Sequence, residues 1–218
     1  MFSSGAHRAV IDSGASSIAL PKKKFSAEAW VTIDKPLTWG AIITAMQDNG
    51  GFEKGWLLGY KGNKFCLGLS TKGVDDGDGL MSYIVGKTSF NSGHWYHVVA
   101  TYDGKLSRIY VNGALDVESG AQHGEINYPA NLYFEVGAYH DNDENFPMTG
   151  WVSELTLWRD ALTSEEVAAR YQAGEHLHPT MEPAPVGERT APQASWIFGD
   201  ASMDNAHLDG DAKIHGEA

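Results

Sequence analysis

The sequence predicts an all-β chain, on three observations. Short apolar alternations broken by Gly, Asn and Asp at close intervals run from residue 9 to residue 160, the pattern of many paired strands and tight turns. Two dipeptides that supply the positive φ values of hairpin turns, Asp103-Gly104 and Asn112-Gly113, separate three such alternations. Helical signals are confined to one stretch, Leu162 to Tyr171.

Taken in order, strands are expected at residues 9–12, 17–20, 25–33, 41–47, 55–60, 64–70 and 80–85. A three-strand meander follows, over 95–102, 106–111 and 114–117, with its two turns at the Asp-Gly and Asn-Gly pairs. Two more strands are read at 132–136 and 150–158. In the helical stretch Thr163 is placed as N-cap and Glu166 as its reciprocal partner, with Leu162 and Val167 positioned as a hydrophobic staple. Gly174 is expected to stop the helix. From residue 175 to 194 the chain turns to His, Pro, Glu and Thr, including Pro179, Pro183, Pro185 and Pro192, which reads as an extended linker.

The composition bounds the function. With 218 residues, 42% hydrophobic and 11% aromatic, there is apolar material for one well-packed core. Sixteen basic against 28 acidic residues give a net charge of −12, which argues against nucleic acid as partner, since backbone binding needs clustered cations. No apolar run approaches the roughly 18 residues of a membrane-spanning helix, so membrane insertion is not expected. The single cysteine, Cys66, excludes an internal disulfide and reads as an ordinary thiol on a strand whose other face carries Phe65, Leu67 and Leu69. Residues 1–6 show no basic region followed by an apolar one, so no signal peptide is read there.

Three blocks carry a family resemblance. They are Phe25-Ser26-Ala27-Glu28-Ala29-Trp30-Val31, then Trp95 to Gly104 with Ile109-Tyr110-Val111-Asn112-Gly113, then Gly150 to Trp158 leading into Ala161 to Val167. In this order and spacing they resemble the laminin G-like domain of the concanavalin A-like lectin/glucanase superfamily. The resemblance implies a two-sheet antiparallel jelly roll with one short C-terminal helix, spanning residues 1–174. It also implies a secreted or cell-surface setting. Such domains usually open with a Trp-x-Phe strand, which is missing at this N-terminus, whereas Trp196-Ile197-Phe198 stands near the C-terminus. Residues 195–218 are therefore expected to supply the first strand of the same jelly roll by permutation, or of a following repeat. A strand-swapped oligomer and an unrelated tail are the alternatives.

The residues do not point to catalysis. Retaining glucanases need acid and nucleophile on one strand face, and no Glu-x-Asp-x-Glu alternation occurs; Glu154 stands alone on its strand. Nucleophile-elbow, Walker and His-Glu-x-x-His motifs are also missing, so the chain is expected not to be an enzyme. Sugar binding asks for aromatic platforms beside planar polar groups. Tyr139, His140, Asp141 and Asn142 fit that requirement as a cluster, and Trp39 and Trp56 fit it by their Gly neighbours. The loops Asp75 to Gly79 and Asp141 to Asn145 offer hard oxygen donors of the kind Ca²⁺ prefers, with solvated turn residues as the other reading. The resemblance implies a structural Ca²⁺ near the first and last strands, with Asp12 and Asp200 as candidates by position and Asp141 and Asp143 in the second loop. His176 and His178 fall in the linker, where no structured site is expected. The expectation is a non-catalytic carbohydrate-binding module, with a protein-protein adhesion module as the alternative.

Overall fold

The computed structural model describes residues 20–141 and 144–178, together with the backbone of residues 8–12 and 207–209. Its strands are β1 (Arg8–Asp12), β2 (Phe25–Ile33), β3 (Trp39–Asn49), β4 (Phe52–Lys61), β5 (Lys64–Ser70), β6 (Met81–Ser89) and β7 (Tyr96–Tyr102). They continue as β8 (Ser107–Val111), β9 (Ala114–Ser119), β10 (Tyr133–Val136), β11 (Ala138–His140), β12 (Asn145–Pro147), β13 (Gly150–Trp158) and β14 (His207–Asp209), with one helix, α1 (Ser164–Gly174).

Two antiparallel sheets face each other. The larger has the order β14-β1-β10-β3-β4-β5-β6 and the smaller β13-β2-β7-β8-β9, while β11 and β12 form a separate hairpin. Alternation places Phe25, Ala27, Ala29, Val31 and Ile33 of β2 toward the larger sheet, where they meet Trp56, Leu58 and Tyr60 of β4 and Phe65, Leu67 and Leu69 of β5 in one buried cluster. Phe25 stacks on Trp56 with ring centroids 4.7 Å apart. Trp56 is completely buried there. The all-β, two-sheet jelly roll read from the sequence is thus the observed architecture.

The outer face of the smaller sheet is also covered, which is why β2 is buried along its whole length. Over the smaller sheet lies α1, with Val167 against Val99 and Tyr110 and Leu162 beside them. Its capping box is present, Glu166 N–H donating to Thr163 Oγ1 at 3.2 Å and Thr163 N–H to Glu166 Oε2 at 2.7 Å. Gly174, however, does not terminate the helix by a left-handed cap. It is the last helical residue and the C-cap is Glu175 at φ −54. A Cβ at Gly174 would lie 2.6 Å from Trp30 Nε1, so glycine is needed for close approach to the sheet.

Several expectations are corrected. The strands expected at 41–47 and 55–60 are longer and join in one hairpin, which places Trp39 at the start of β3 rather than in a loop. The hairpin β11–β12 was not foreseen. Trp158, at the end of β13, is half-buried, with Arg170 4.5 Å above its ring. The linker does not begin at residue 175: His178 is buried, its ring 4.7 Å from those of both Trp30 and Trp95. Beyond it, the stretch holding Trp196-Ile197-Phe198 and residues 17–19 lie outside the described residues. β14 pairs with β1 in the same chain, Arg8 opposite Asp209 and Val10 opposite His207.

Candidate functional site

The outer face of the larger sheet carries its own apolar cluster of Ala41, Met46, Leu57, Cys66, Met81 and Tyr139, with Trp39, Tyr83, Val85 and Phe146 packed against it. Strand alternation explains the set. Met46 and Asp48 on β3, Leu57 on β4, Cys66 and Gly68 on β5 and Tyr83 on β6 point away from the inter-sheet core. Glycine at 68 matters, because a Cβ there would lie 2.8 Å from the Tyr83 ring. The ring therefore lies against the strand backbone. Burial pushes the Cys66 thiol up to about 12, so it stays protonated and inert under the floor.

The β11–β12 hairpin folds over one end of this face and encloses a cavity of about 190 Å³. Its walls include Trp39, Tyr83, Tyr139 and Phe146, its floor Ala41, Met46 and Leu57, and its charged lining Asp48 and Glu144. Trp39 and Tyr83 rings are 5.3 Å apart and tilted at 59°, and Tyr139 stacks on Phe146 across the hairpin at 6.3 Å.

Tyr139 anchors the hairpin. Its hydroxyl accepts from the Asp48 N–H at 2.9 Å, and its own proton faces both the Asp48 carbonyl, also at 2.9 Å, and the Asp141 carboxylate. Asp141 Oδ1 accepts from the Glu144 N–H at 2.8 Å, which closes the hairpin tip. On the other side, Tyr83 donates to Asp48 Oδ2 at 3.3 Å. Burial pushes the Asp48 carboxyl up to about 6, and the charges of Glu53, Glu144 and Asp141 push the same way against the Tyr83 bond. Burial and the Asp141 contact likewise hold the Tyr139 phenol above its ordinary range.

Of the residues singled out in the sequence, Trp39 and Tyr139 thus meet in one cavity. Tyr139 is only 4% exposed and serves as wall and anchor rather than as an open platform. His140 turns aside, its Nδ1 2.7 Å from Glu135 Oε2 and its ring edge-on to Tyr133. Trp56 is corrected from exposed platform to core; its Nε1 donates to the Tyr128 hydroxyl at 2.9 Å. Asn142, Asp143 and Asp200, and the side chain of Asp12, lie outside the described residues. Among the described residues no group of three or more His, Cys, Asp and Glu side chains is placed to hold a metal ion. In the other acidic loop Asp75 Oδ1 accepts from the Gly77 N–H at 3.1 Å, an ordinary turn contact.

The family model for the Concanavalin A-like lectin/glucanases superfamily, of laminin G type, matches residues 6–168. The chain belongs to this superfamily. Among curated relatives it is 27% identical over 163 residues to pappalysin-1 of Mus musculus, covering 70% of this chain and 10% of the relative. The chain therefore spans about a tenth of the length of that relative. Among solved structures, a candidate carbohydrate-binding protein from Bacteroides ovatus aligns with a TM-score of 0.57 at 19% identity, over 75% of this chain and 44% of that one. Domain 4 of AbnA, an extracellular arabinanase from Geobacillus stearothermophilus solved with arabinotriose, aligns with a TM-score of 0.53 at 20% identity, over 69% and 68%. At these identities the two structures establish the superfamily fold in this chain.

Sequence reasoning missed Asp48, Tyr83 and Phe146. A signal was present for Tyr83: in Met81-Ser82-Tyr83-Ile84-Val85 bulky apolar residues occupy both faces, so the face away from the core cannot be simply solvated. A second polar cluster, under α1, was also missed. Glu28 takes His97 Nε2 at 2.9 Å, Arg170 Nε at 2.6 Å and Trp158 Nε1 at 3.1 Å. Burial pushes the Glu28 carboxyl up, but the His97 bond and charge and then Arg170 outweigh it and hold the carboxyl below its ordinary range. This cluster ties helix to sheet and lines no part of the cavity.

Proposed function

We propose that this laminin G-like jelly roll is a non-catalytic carbohydrate-binding module that takes one saccharide ring in the cavity between Trp39 and the β11–β12 hairpin. The observation that carries the reading is the cavity itself: aromatic walls and two polar carboxyls around a small hollow on an outer sheet face. At about 190 Å³ it is smaller than the roughly 300–1,000 Å³ of clefts for drug-sized ligands, which suits a single ring. The arabinotriose complex of the AbnA domain, which shares the fold, supports the ligand class. Protein adhesion is less well supported. It asks for a broad apolar patch, whereas the exposed large hydrophobics among the described residues, Leu37, Leu80, Leu115 and Leu177, are far apart in sequence and none lines the cavity. The laminin G-type family model supports a setting in a secreted or cell-surface protein.

A glycan array run with the protein and with Trp39→Ala tests this. Binding by the first and its loss in the second is expected, and absence of binding to every glycan overturns the reading. Calcium is carried as a second arm: a chelator that lowers the melting temperature without abolishing binding assigns the ion a structural role. A hydrolytic alternative is favoured by one observation, the raised Asp48 carboxyl in a cavity with other acids. Release of reducing sugar from a bound oligosaccharide, abolished by Asp48→Asn, would establish it.

A further inference from the structure

The cavity is graded by depth. Its floor is Ala41, Met46 and Leu57, the first two 1% exposed and the third 6%, and none of these side chains carries an oxygen or a nitrogen. The floor backbone belongs to the paired strands β3 and β4, where Ala41 stands opposite Gly59 and Met46 opposite Gly55. The charged members of the lining lie nearer the solvent: Asp48 is half-buried and Glu144 exposed. The phenol protons of the walls are already directed at acceptors, Tyr83 at Asp48 Oδ2 and Tyr139 at the Asp48 carbonyl and Asp141. Lys61 Nζ lies 4.4 Å from the Trp39 centroid, so that ring serves as a side wall and the floor is the surface that discriminates. A sugar hydroxyl brought down to the floor would lose its water and gain no partner there. A methyl group in the same place gains from leaving water and packs on Met46 and Leu57. Asp48, which takes Tyr83 on one carboxylate oxygen, keeps the other to accept from a hydroxyl.

We infer that the cavity selects 6-deoxyhexoses, the exocyclic methyl seated on Ala41, Met46 and Leu57 and a ring hydroxyl donating to Asp48. The inference rests on the saccharide-binding reading and names its ligand class. The ordinary hexose differs by one oxygen, which would be left unpaired at the floor; such a hydroxyl in an apolar pocket lowers affinity roughly ten- to a hundredfold. A pentopyranose has no exocyclic carbon to reach the floor. An N-acetyl group also ends in a methyl, but it carries an amide N–H and C=O into a depth that offers them no partner.

The test is calorimetric titration of the full chain at pH 7 with methyl glycosides of three matched pairs, L-fucose and L-galactose, L-rhamnose and L-mannose, 6-deoxy-D-glucose and D-glucose, and of D-xylose. In at least one pair the deoxy member is expected to bind at least tenfold more tightly than its hydroxylated partner and than the xyloside. Ala41→Ser and Met46→Gln each put a polar atom on the floor, and each is expected to bring that ratio below about threefold by giving the hydroxyl a partner. Circular dichroism and Tm report folding of each variant, and Ala41→Ser, which adds a single oxygen, carries the test if Met46→Gln does not fold. Equal or tighter binding of the hydroxylated partner in every pair overturns the methyl selectivity and leaves the saccharide reading standing. So does a ratio unchanged in the folded variants. Binding of none of these glycosides overturns the inference, and the glycan array then decides the broader reading: Trp39-dependent binding there retains it, and no binding overturns it as well.

Discussion

The Tyr139 hydroxyl accepts the backbone N–H of Asp48 and faces its carbonyl, both at 2.9 Å, across 91 residues of sequence. It does for β3 what a neighbouring strand would do. β10 pairs with β3 only as far as Tyr133 opposite Met46, so the edge-facing polar groups of Asp48 have no ladder partner. The phenol supplies donor and acceptor together, and in doing so it pins the hairpin that walls the cavity.

Tyr139→Phe therefore breaks the anchor while keeping the ring stacked on Phe146. The expected cost is about 1–2 kcal/mol in urea unfolding, from leaving Asp48 backbone groups unpaired. Hydrogen exchange of the Asp48 amide is expected to accelerate more than that of core amides in β2. Unchanged protection at Asp48 would show that the hairpin is held by packing alone.

Asp48 itself imposes a pH dependence. Its carboxyl sits near 6 in the fold against an ordinary value of 3.8, so between those values the native state binds more protons than the unfolded chain. Its contribution to stability therefore falls as pH rises through that window and stays low above it. Asp48→Asn is expected to raise Tm at pH 7 and to match the parent near pH 4, read by scanning fluorimetry across the range. The group is part-exposed, so the gain is a few degrees at most. A Tm difference that does not vary with pH would rule this out.

Much of the fold was legible because its signals are local. β2, β5 and β13 fall where alternation placed them, the two hairpin dipeptides turn as expected, and the Thr163–Glu166 box caps α1. The site was half legible. Trp39 and Tyr139 were found by residue type, but type alone does not say which face of a sheet a Trp occupies. Trp56 points inward with Leu58 and Tyr60 of β4, whereas Trp39 points outward because of a bulge between Ala41 and Ile43 in the β3–β4 register, which shifts the alternation of β3 by one residue. Asp48 was invisible for another reason: its role comes from Tyr83 and Tyr139, distant in sequence, and no spacing rule reports such contacts. His178 was misread because composition marks the linker, while burial against Trp30 and Trp95 keeps its first residues in the fold.

Gly174→Ala tests the close approach of α1 to the sheet. In an exposed helix the change would stabilise by about 1 kcal/mol. Here the added methyl meets Trp30 Nε1, and overpacking is expected to reverse the sign, with a net loss of roughly 1–3 kcal/mol. Denaturant midpoints of the two proteins decide it. A more stable variant would mean that helix and Trp30 shift apart without loss.

Glu28→Gln tests the cluster beneath that helix. The substitution keeps an acceptor but removes the charge that pairs with Arg170 and His97, for an expected loss of about 2 kcal/mol at neutral pH. Because the Glu28 carboxyl is held below its ordinary value of 4.5, its contribution is present above that value and lost as pH falls through the lower, folded one. The gap between parent and variant is thus expected to be constant from neutral pH down to about 5 and to close in acid. A gap that widens in acid contradicts the network.

Removal of the chain after Pro192 tests the last strand. β14 lies at the edge of the larger sheet, and its backbone pairs with β1, itself paired to β10. Without it β1 becomes the exposed edge, with open backbone groups that favour pairing between molecules. Truncation is expected to cost roughly 1–3 kcal/mol in lost backbone pairs and to lower Tm by about 3–10 °C. Scanning calorimetry measures the shift and light scattering the association. Adding back a peptide of residues 195–218 is expected to restore both, because the strand then pairs in trans. Equal Tm and scattering for truncated and full chains would show that this segment plays no part in the jelly roll.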